Sequence, residues 1–131
     1  MRKSEKENMF ELYCAGIMNA DPLIFESVCG PDFVFSLPQP AVGARKMNRA
    51  DALVYLTTAP GSFLDTKTIT FDKINVAETV TDYVVELNVM AKLVKGGDYN
   101  NMLVLWFKFK DGKISECHEH LDTSYALRLM R

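Results

Sequence analysis

The chain has 131 residues, of which 48% are hydrophobic, and this composition fits one globular domain spanning residues 1–131 and excludes a disordered chain. Its formal net charge of −2 disfavours nucleic acid as a partner, because a phosphate backbone is held by a clear excess of Lys and Arg. No apolar run approaches the roughly 20 residues that cross a bilayer. The charged N-terminus and the widely spaced cysteines favour a cytoplasmic protein with reduced thiols, so neither membrane binding nor secretion is expected.

Two helices are predicted first. Ser4 followed by Glu7 makes a capping box, and apolar residues then recur at helical spacing. Asp21 is the expected N-cap of a second helix, which Gly30 is placed to end. On this pattern Cys29 lies in the second helix.

A short strand and a third helix follow. Residues 33–37 have the composition of a strand, which the prolines after it would end. The basic pair Arg45-Lys46 comes next in a loop; such a pair is typical of loop charge, and we assign it no site. Asn48 is the expected cap of a third helix that continues to about Thr58.

From Thr66 onward the spacing of apolar residues changes from helical to alternating, as in β-strands. One apolar face runs along residues 83–93 and returns along residues 103–109. Asp111-Gly112 is a strong hairpin signal and leads into a last strand that ends near Asp122. Strands joined by sequential hairpins form an antiparallel sheet, so the pattern predicts an α+β domain with helices packed on one face of the sheet.

The strand around Trp106 carries apolar side chains on both faces. Met102, Val104 and Trp106 alternate with the core positions and should point away from the helices. An exposed apolar patch of this kind usually marks an interface. We therefore expect a symmetric homodimer that forms through these three residues.

Several short motifs, taken in order, point to a known superfamily. They are Tyr-Cys-Ala-Gly-Ile-Met-Asn-Ala-Asp at 13–21, Pro-Asp-Phe-Val-Phe at 31–35, Trp-Phe-Lys-Phe at 106–109, Asp-Gly-Lys-Ile at 111–114 and His-Leu-Asp at 120–122. Their order resembles the SnoaL-like branch of the nuclear transport factor two-like superfamily over nearly the whole chain. The resemblance implies a cone, in which a curved antiparallel sheet of the cystatin-like α+β barrel type wraps around three N-terminal-half helices and leaves a deep apolar pocket. That superfamily includes enzymes and non-catalytic binding modules, so the fold leaves the chemistry open.

Among those relatives, ketosteroid isomerases use a tyrosine and a carboxylic acid as oxyanion donors and a second carboxylate as base. By resemblance, Tyr13 falls on the tyrosine, while the base falls on Leu37 and the other acid on Leu105. Because both carboxylates are missing, we reject this isomerase activity. Leu37 and Leu105 remain candidates for the pocket wall, and Tyr13 is either a hydrogen-bond donor to a substrate or a core tyrosine.

Limonene-epoxide hydrolases use an Asp-Arg-Asp arrangement. By resemblance, the last Asp falls on Asp122, but the Arg and the other Asp fall on Glu86 and Asn88. A glutamate in place of the Arg would repel Asp122, so epoxide hydrolysis by that mechanism is not expected. Glu86 and Asn88 project to one side of their strand, and they either line the pocket or lie on a solvated face of the sheet.

Both histidines of the chain lie in one segment, where Glu116, His118, His120 and Asp122 would project to one face of a regular strand. Such a stripe could transfer protons near neutral pH or bind a divalent metal. It could equally be a solvent-facing strand end, and a β-bulge would divide it between faces.

The sequence therefore predicts a pocket for a small apolar molecule and an enzyme of lyase, isomerase or hydrolase type. We assign His120 and Asp122 as the acid/base pair, His118 as a supporting residue and Tyr13 as a hydrogen-bond donor. No cofactor and no metal are required. The alternative is a non-catalytic ligand-binding or dimerisation module of the same fold.

Overall fold

The computed structural model describes residues 2–129, which form four α-helices and six β-strands. The helices are α1 (Glu5–Asn19), α2 (Pro22–Val28), α3 (Arg49–Phe63) and α4 (Thr123–Leu129), and the strands are β1 (Cys29–Leu37), β2 (Arg45–Met47), β3 (Leu64–Glu78), β4 (Asp82–Leu93), β5 (Asp98–Lys110) and β6 (Lys113–Leu121). No helix within these residues is both long enough and apolar enough to cross a bilayer.

The first three helices begin where the sequence predicts. Ser4 Oγ accepts a hydrogen bond from the Glu7 amide at 3.1 Å, as a capping box requires. The side-chain oxygens of Asp21 and Asn48 accept backbone amides at the starts of α2 and α3, each at 2.9 Å. Each of these contacts satisfies an amide that has no partner inside its helix, so the predicted caps are confirmed.

The ends of two helices differ from the prediction. Helix α2 stops at Val28, and both Cys29 and Gly30 belong to β1, so the expectation that Gly30 ends a helix containing Cys29 is wrong. Cys29 pairs with Ile114 of β6, and both side chains are buried, so pairing with a distant strand overrides the local glycine signal. Helix α3 also continues past Thr58 to Phe63.

The sheet is curved and unclosed, with the strand order β2-β1-β6-β5-β4-β3. Strands β3 to β6 form antiparallel hairpins as predicted, but β1 pairs with β6 in parallel. The predicted all-antiparallel sheet is therefore wrong at this pair. The hairpin signals could not show it, because β1 and β6 are far apart in the chain. The fourth helix, α4, was also not predicted.

The helices pack against the inner face of this sheet. Phe10 and Tyr13 of α1 are buried, and each places its ring within 6 Å of Phe107 of β5. Gly16 brings α1 close to α2, because a Cβ there would lie 2.8 Å from the Phe25 ring. The α+β cone that the sequence predicts is thus present, with its core between helices and sheet.

Strand β6 contains a β-bulge that decides which side chains face inward. Ile114 pairs with Phe109, but Glu116 pairs with Lys108, so Ser115 is an extra residue in β6. The Ser115 hydroxyl donates to the Lys108 carbonyl oxygen at 3.1 Å. From residue 117 onward the odd-numbered residues of β6 face the helices, and the even-numbered residues face outward.

Candidate functional site

A cavity of about 820 Å³ lies at the edge of the sheet where β4 and β6 end and β5 begins. Helices α3 and α4 and the 3₁₀ turn Pro40–Val42 complete its wall. Aliphatic and aromatic side chains, among them Leu37, Phe63 and Leu121, form most of the lining. The polar or charged residues of the described lining are Arg45, Tyr55, Ser62, Lys95, Tyr99 and Glu119. A cavity of this size and character suits a small organic molecule.

Glu119 is the one carboxylic acid among the described residues that line the cavity. The bulge in β6 turns it inward, where it pairs across the sheet with Leu105. Glu119 is half-buried, since it borders the cavity. Burial alone raises the pKa of its carboxyl to about 7, because an apolar setting disfavours the charged form.

Tyr99 of β5 borders the same cavity. Its Oη accepts a hydrogen bond from Asn101 Nδ2 at 3.1 Å, which leaves the phenolic proton available to donate. Burial raises the pKa of Tyr99 to about 12, so that proton is retained at physiological pH. Asn101 is 2% exposed, and its Oδ1 has no partner among the described residues.

Tyr55 of α3 is the second phenol of the cavity wall. The guanidinium of Arg45 lies over its ring, 5.1 Å from the centroid. Burial raises the pKa of Tyr55, Glu119 adds to the rise and Arg45 opposes it. Arg45 and Glu119 therefore act on the Tyr55 hydroxyl in opposite directions.

Asp122, a predicted catalytic residue, lies at the start of α4. Its Oδ1 accepts the Tyr125 amide at 3.1 Å, and its carbonyl oxygen accepts the Ala126 amide at 3.1 Å. These contacts make it the N-cap of the helix that follows β6. It is exposed and is not part of the cavity lining, so the structure does not bring it into an acid/base pair there.

The predicted histidine stripe lies on the outer face of the sheet. His118 pairs with the exposed Trp106, and His120 pairs with Val104. His118 Nε2 lies 2.9 Å from Glu116 Oε2. The extra residue Ser115 reverses the alternation of side chains beyond it, so the histidines face outward. The expectation that the stripe lines the pocket is therefore corrected. No group of three or more metal-ligating side chains occurs among residues 2–129.

His120 has a local partner of its own. With its side-chain amide oriented to satisfy both of its ends, Gln39 accepts hydrogen bonds from His120 Nδ1 and from the Leu121 amide, each at 3.2 Å. In the same orientation its Nε2 donates to the Glu119 carbonyl oxygen at 3.3 Å. His120 thus helps to hold the loop after β1 against the end of β6.

The remaining predicted binding residues divide between the two faces of the sheet. Glu86 and Asn88 of β4 point outward, where Glu86 Oε1 accepts a hydrogen bond from Asn75 Nδ2 at 2.8 Å, so they do not line the cavity. Leu37 borders the cavity, and Leu105 is buried on the inner face opposite Glu119.

Tyr13 is a core residue with 1% of its surface exposed and is not part of the cavity lining. Its ring packs edge-on against Phe25 and Phe107, with centroids 5.2 and 5.0 Å away. Its hydroxyl has no hydrogen-bond partner among the described residues. Burial raises its pKa well above the ordinary value, and the nearby Cys117 and Glu119 add to the rise. Tyr13 therefore lies behind the cavity wall.

Sequence reasoning missed all six polar or charged residues of the described lining, among them Arg45, Tyr55, Tyr99 and Glu119. Glu119 stands between the two histidines and faces the opposite side of the strand from them, so a prediction that turns the histidines toward the pocket turns Glu119 away from it. Arg45 was assigned to loop charge, yet it lies in β2 and borders the cavity. The odd spacing of apolar residues at 114 and 117 was the one sequence signal that could have indicated the bulge.

No protein-family model and no curated protein matches the chain in sequence. Solved structures do match it in fold. An NTF2-like protein of unknown function from Burkholderia pseudomallei has a TM-score of 0.78 and 15% identity, with 97% of this chain and 98% of that chain covered. TerC, co-crystallised with polyporic acid, has a TM-score of 0.78 and 18% identity, with coverage of 97% and 98%. IdmH from Streptomyces antibioticus, proposed to be a polyketide cyclase, has a TM-score of 0.75 and 14% identity, with coverage of 95% and 96%.

These alignments span almost the whole of each chain, although the sequences differ at more than four residues in five. At such low sequence identities the structural similarity shows a shared fold only. The chemistry depends on the side chains that line each cavity. The predicted resemblance is confirmed at the level of the fold: the chain has the fold of the nuclear transport factor two-like proteins.

Proposed function

We propose that this protein binds a small, largely apolar molecule in the cavity and catalyses a proton transfer on it, with Glu119 as the acid/base group. The observation that carries the proposal is the position of Glu119 as the one described carboxylic acid of an apolar cavity. Its raised pKa, about 7, means that both the acid and the carboxylate are populated near neutral pH. A general acid/base is most effective under that condition.

The reaction class follows from the groups beside Glu119. The carboxylate would take a proton from a carbon next to a substrate carbonyl, and the electron pair of that C–H bond would move into the carbonyl to give an enolate. The Tyr99 hydroxyl, held by Asn101, would donate a hydrogen bond to the enolate oxygen. Return of the proton from Glu119 to another carbon completes an isomerisation. Attack of the enolate on a second carbonyl forms a C–C bond and an alkoxide, which takes the proton back from Glu119 and completes a cyclisation.

The structural neighbours support a small-molecule role. TerC was crystallised with polyporic acid, and IdmH is proposed to be a polyketide cyclase. Both share the fold of this chain, and they support only the binding of an organic molecule in such a cavity. The assignment of Glu119 is based on this chain's own cavity.

The rival function is ligand binding without catalysis. To separate the two, hydrogen–deuterium exchange at the α-carbon of cyclic ketones such as 2-tetralone is followed by NMR with the wild type, Glu119→Gln and Glu116→Gln. Because general bases contribute about 10²- to 10⁴-fold, Glu119→Gln should lose at least about 100-fold of the catalysed exchange. Glu116 lies on the outer face of the same strand and is the matched control. Binding of the ketones without any catalysed exchange would favour the rival function.

We further propose that the working form is a homodimer. Trp106 and Met102 are 42% and 43% exposed on the outer face, beside the half-buried Val104. Three apolar residues on the outer face of a central strand are costly to leave in water, so a second copy is the proposed partner.

The proposed compartment is a reducing cytoplasm. Cys14, Cys29 and Cys117 are all free and buried. Burial raises the pKa of Cys29 to about 12 and that of Cys117 well above its ordinary value, so these thiols are unreactive core residues. Unpaired cysteines of this kind are typical of proteins kept away from oxidising conditions.

A further inference from the structure

We infer that the natural ligand of the cavity is a ring-containing apolar molecule with one anionic group, such as a carboxylate or an enolate, which Arg45 binds. The inference deepens the proposed function and rests on it for the choice of cavity. The location, packing and charge of the lining carry it.

Arg45 is held in place at the cavity wall. It pairs with Leu37 in the β1–β2 hairpin, so its side chain leaves the sheet on the cavity side. The residue is exposed, and its guanidinium lies over the Tyr55 ring, 5.1 Å from the centroid. Among the described residues it makes no ion pair, since the ion pairs of residues 2–129 involve other cations.

Lys46 shows that this placement is specific to one of the two basic residues. It pairs with Ser36, on the opposite face of the hairpin, and it does not border the cavity. The basic pair is therefore divided: Arg45 faces the cavity and Lys46 faces away from it. The two side chains face opposite sides because adjacent residues alternate along a strand.

The charges of the described lining do not balance. Arg45 and Lys95 are both cations, whereas Glu119 is the one acid and is partly protonated near neutrality because of its burial. Arg45 and Lys95 are both exposed, so the positive charge lies at the rim of an otherwise apolar cavity. An uncharged ligand would form no ionic contact with either cation, whereas an anion would form a charge-assisted hydrogen bond with the planar guanidinium of Arg45.

The rest of the wall suits a ring. Tyr55, Phe63 and Tyr99 all border the cavity, and the rings of Phe63 and Tyr99 meet edge-on with centroids 5.8 Å apart. Aromatic walls favour a flat apolar body, which they contact by stacking and edge-on packing. The anion would then lie at Arg45, and the reacting carbon would lie near Glu119.

The test uses two probes with the same ring system, 2-naphthoate and 2-naphthamide. Their dissociation constants are measured by isothermal titration calorimetry at about pH 6, where Glu119 is mostly protonated because its pKa is about 7. The proteins are the wild type, Arg45→Gln, Arg45→Lys, Lys95→Gln and, as the matched control, Lys46→Gln. The naphthamide constant shows whether each variant keeps an intact cavity.

We expect the wild type to bind the naphthoate about tenfold more tightly than the naphthamide, a typical gain for one charge-assisted hydrogen bond. Arg45→Gln should bring this ratio to about 1 while the naphthamide still binds, Arg45→Lys should keep part of it, and Lys46→Gln should leave it unchanged. Equal binding of both probes by the wild type would overturn the inference and leave the proposed function standing. Loss of the preference in Lys95→Gln but not in Arg45→Gln would overturn the assignment to Arg45. Absence of binding by both probes would overturn the inference and the proposed function together.

Discussion

Leu105 and Glu119 lie directly opposite each other on the inner face of β5 and β6. The resemblance to ketosteroid isomerases puts the base at position 37 and an oxyanion-donating acid at position 105, and that activity is rejected because both carboxylates are missing. The neighbouring strand supplies a carboxyl to the same region of the cone. A missing catalytic residue at one position of a sheet is therefore weak evidence of a missing function, because cross-strand neighbours are only about 5 Å apart.

The proposed base predicts a pH profile for the exchange reaction. Only the carboxylate form of Glu119 can remove a proton, so the rate should rise with pH through a midpoint near the pKa of about 7 and then level off. Tyr55 and Arg45 face this group from α3 and β2, and Tyr99 faces it from β5. Burial raises the pKa of both phenols, so both stay protonated in that range. The profile is measured from pH 5 to 9. His118→Ala and His120→Ala should leave the midpoint unchanged. A shifted midpoint in either variant would mean that a histidine, and not Glu119, is the titrating group.

The same group predicts how stability depends on pH. Glu119 has a folded-state pKa of about 7 against an ordinary value of 4.5, so between these values the folded protein binds more protons than the unfolded chain. Stability should therefore fall as pH rises from 4.5 to 7 and then level off, by at most about 3 kcal/mol. Urea unfolding at pH 5 and pH 8 measures this loss, which Glu119→Gln should reduce. An equal loss in the variant would mean that other groups cause it.

Tyr13→Phe separates a core role from a catalytic one. Its hydroxyl is buried and has no hydrogen-bond partner among the described residues, so its removal takes away an unsatisfied polar group. The variant should be as stable as the wild type or up to about 1 kcal/mol more stable, with unchanged exchange activity. Tyr83→Phe is the matched control, since its hydroxyl is also buried and unpartnered among residues 2–129. A loss of activity confined to Tyr13→Phe would restore Tyr13 as a donor to substrate.

The cap at the start of α4 predicts different effects for two substitutions of Asp122. Asp122→Asn keeps an oxygen for the Tyr125 amide, whereas Asp122→Ala removes it. Asp122→Ala should cost about 1 kcal/mol, as loss of an N-cap usually does, and Asp122→Asn should cost much less. Thermal unfolding measures both. Strong loss of activity in a stable Asp122→Asn protein would instead support the catalytic role that the sequence suggested.

The outer face predicts the oligomeric state. Trp106→Lys and Met102→Lys place a charge in the proposed dimer interface, so both variants should sediment as monomers where the wild type sediments as a dimer. Trp106 also donates a hydrogen bond to Asp82 Oδ2 at 2.8 Å, which is why the Met102 variant is needed beside it. Val80 is 91% exposed in the β3–β4 connection, and Val80→Lys is the control. A monomeric wild type would disprove the proposed dimer.

Local signals in the sequence predicted local structure well. The caps at Ser4, Asp21 and Asn48 and the turn at Asp111-Gly112 depend on contacts between near neighbours in the chain, and all are present. The change of periodicity predicted the α+β class, and the cone was implied by the family resemblance that the ordered motifs carry. What could not be predicted is pairing between distant segments, such as β1 with β6.

The candidate site was harder to predict for the same reason. The bulge in β6 decides which residues of that strand face the cavity. Its position is set by pairing with β5, and no nearby residue in the sequence indicates it. The two histidines attracted attention because histidine is rare in this chain, whereas Glu119 is one of 17 acidic residues. Burial, which alone makes Glu119 unusual, is a property of the folded chain.

The extra residue at Ser115 has a consequence for the lining of the cavity. Deletion of this one codon would leave Glu119 opposite Leu105, because Glu116 would follow Ile114 directly and still pair with Lys108. If Ser115 stayed and paired with Lys108 in a regular strand, however, every residue beyond it would change face. Glu116 and His118 would then face the helices, and Glu119 would face outward. The same stretch of sequence thus encodes two alternative linings, one acidic and one rich in histidine, and the presence of the bulge selects between them.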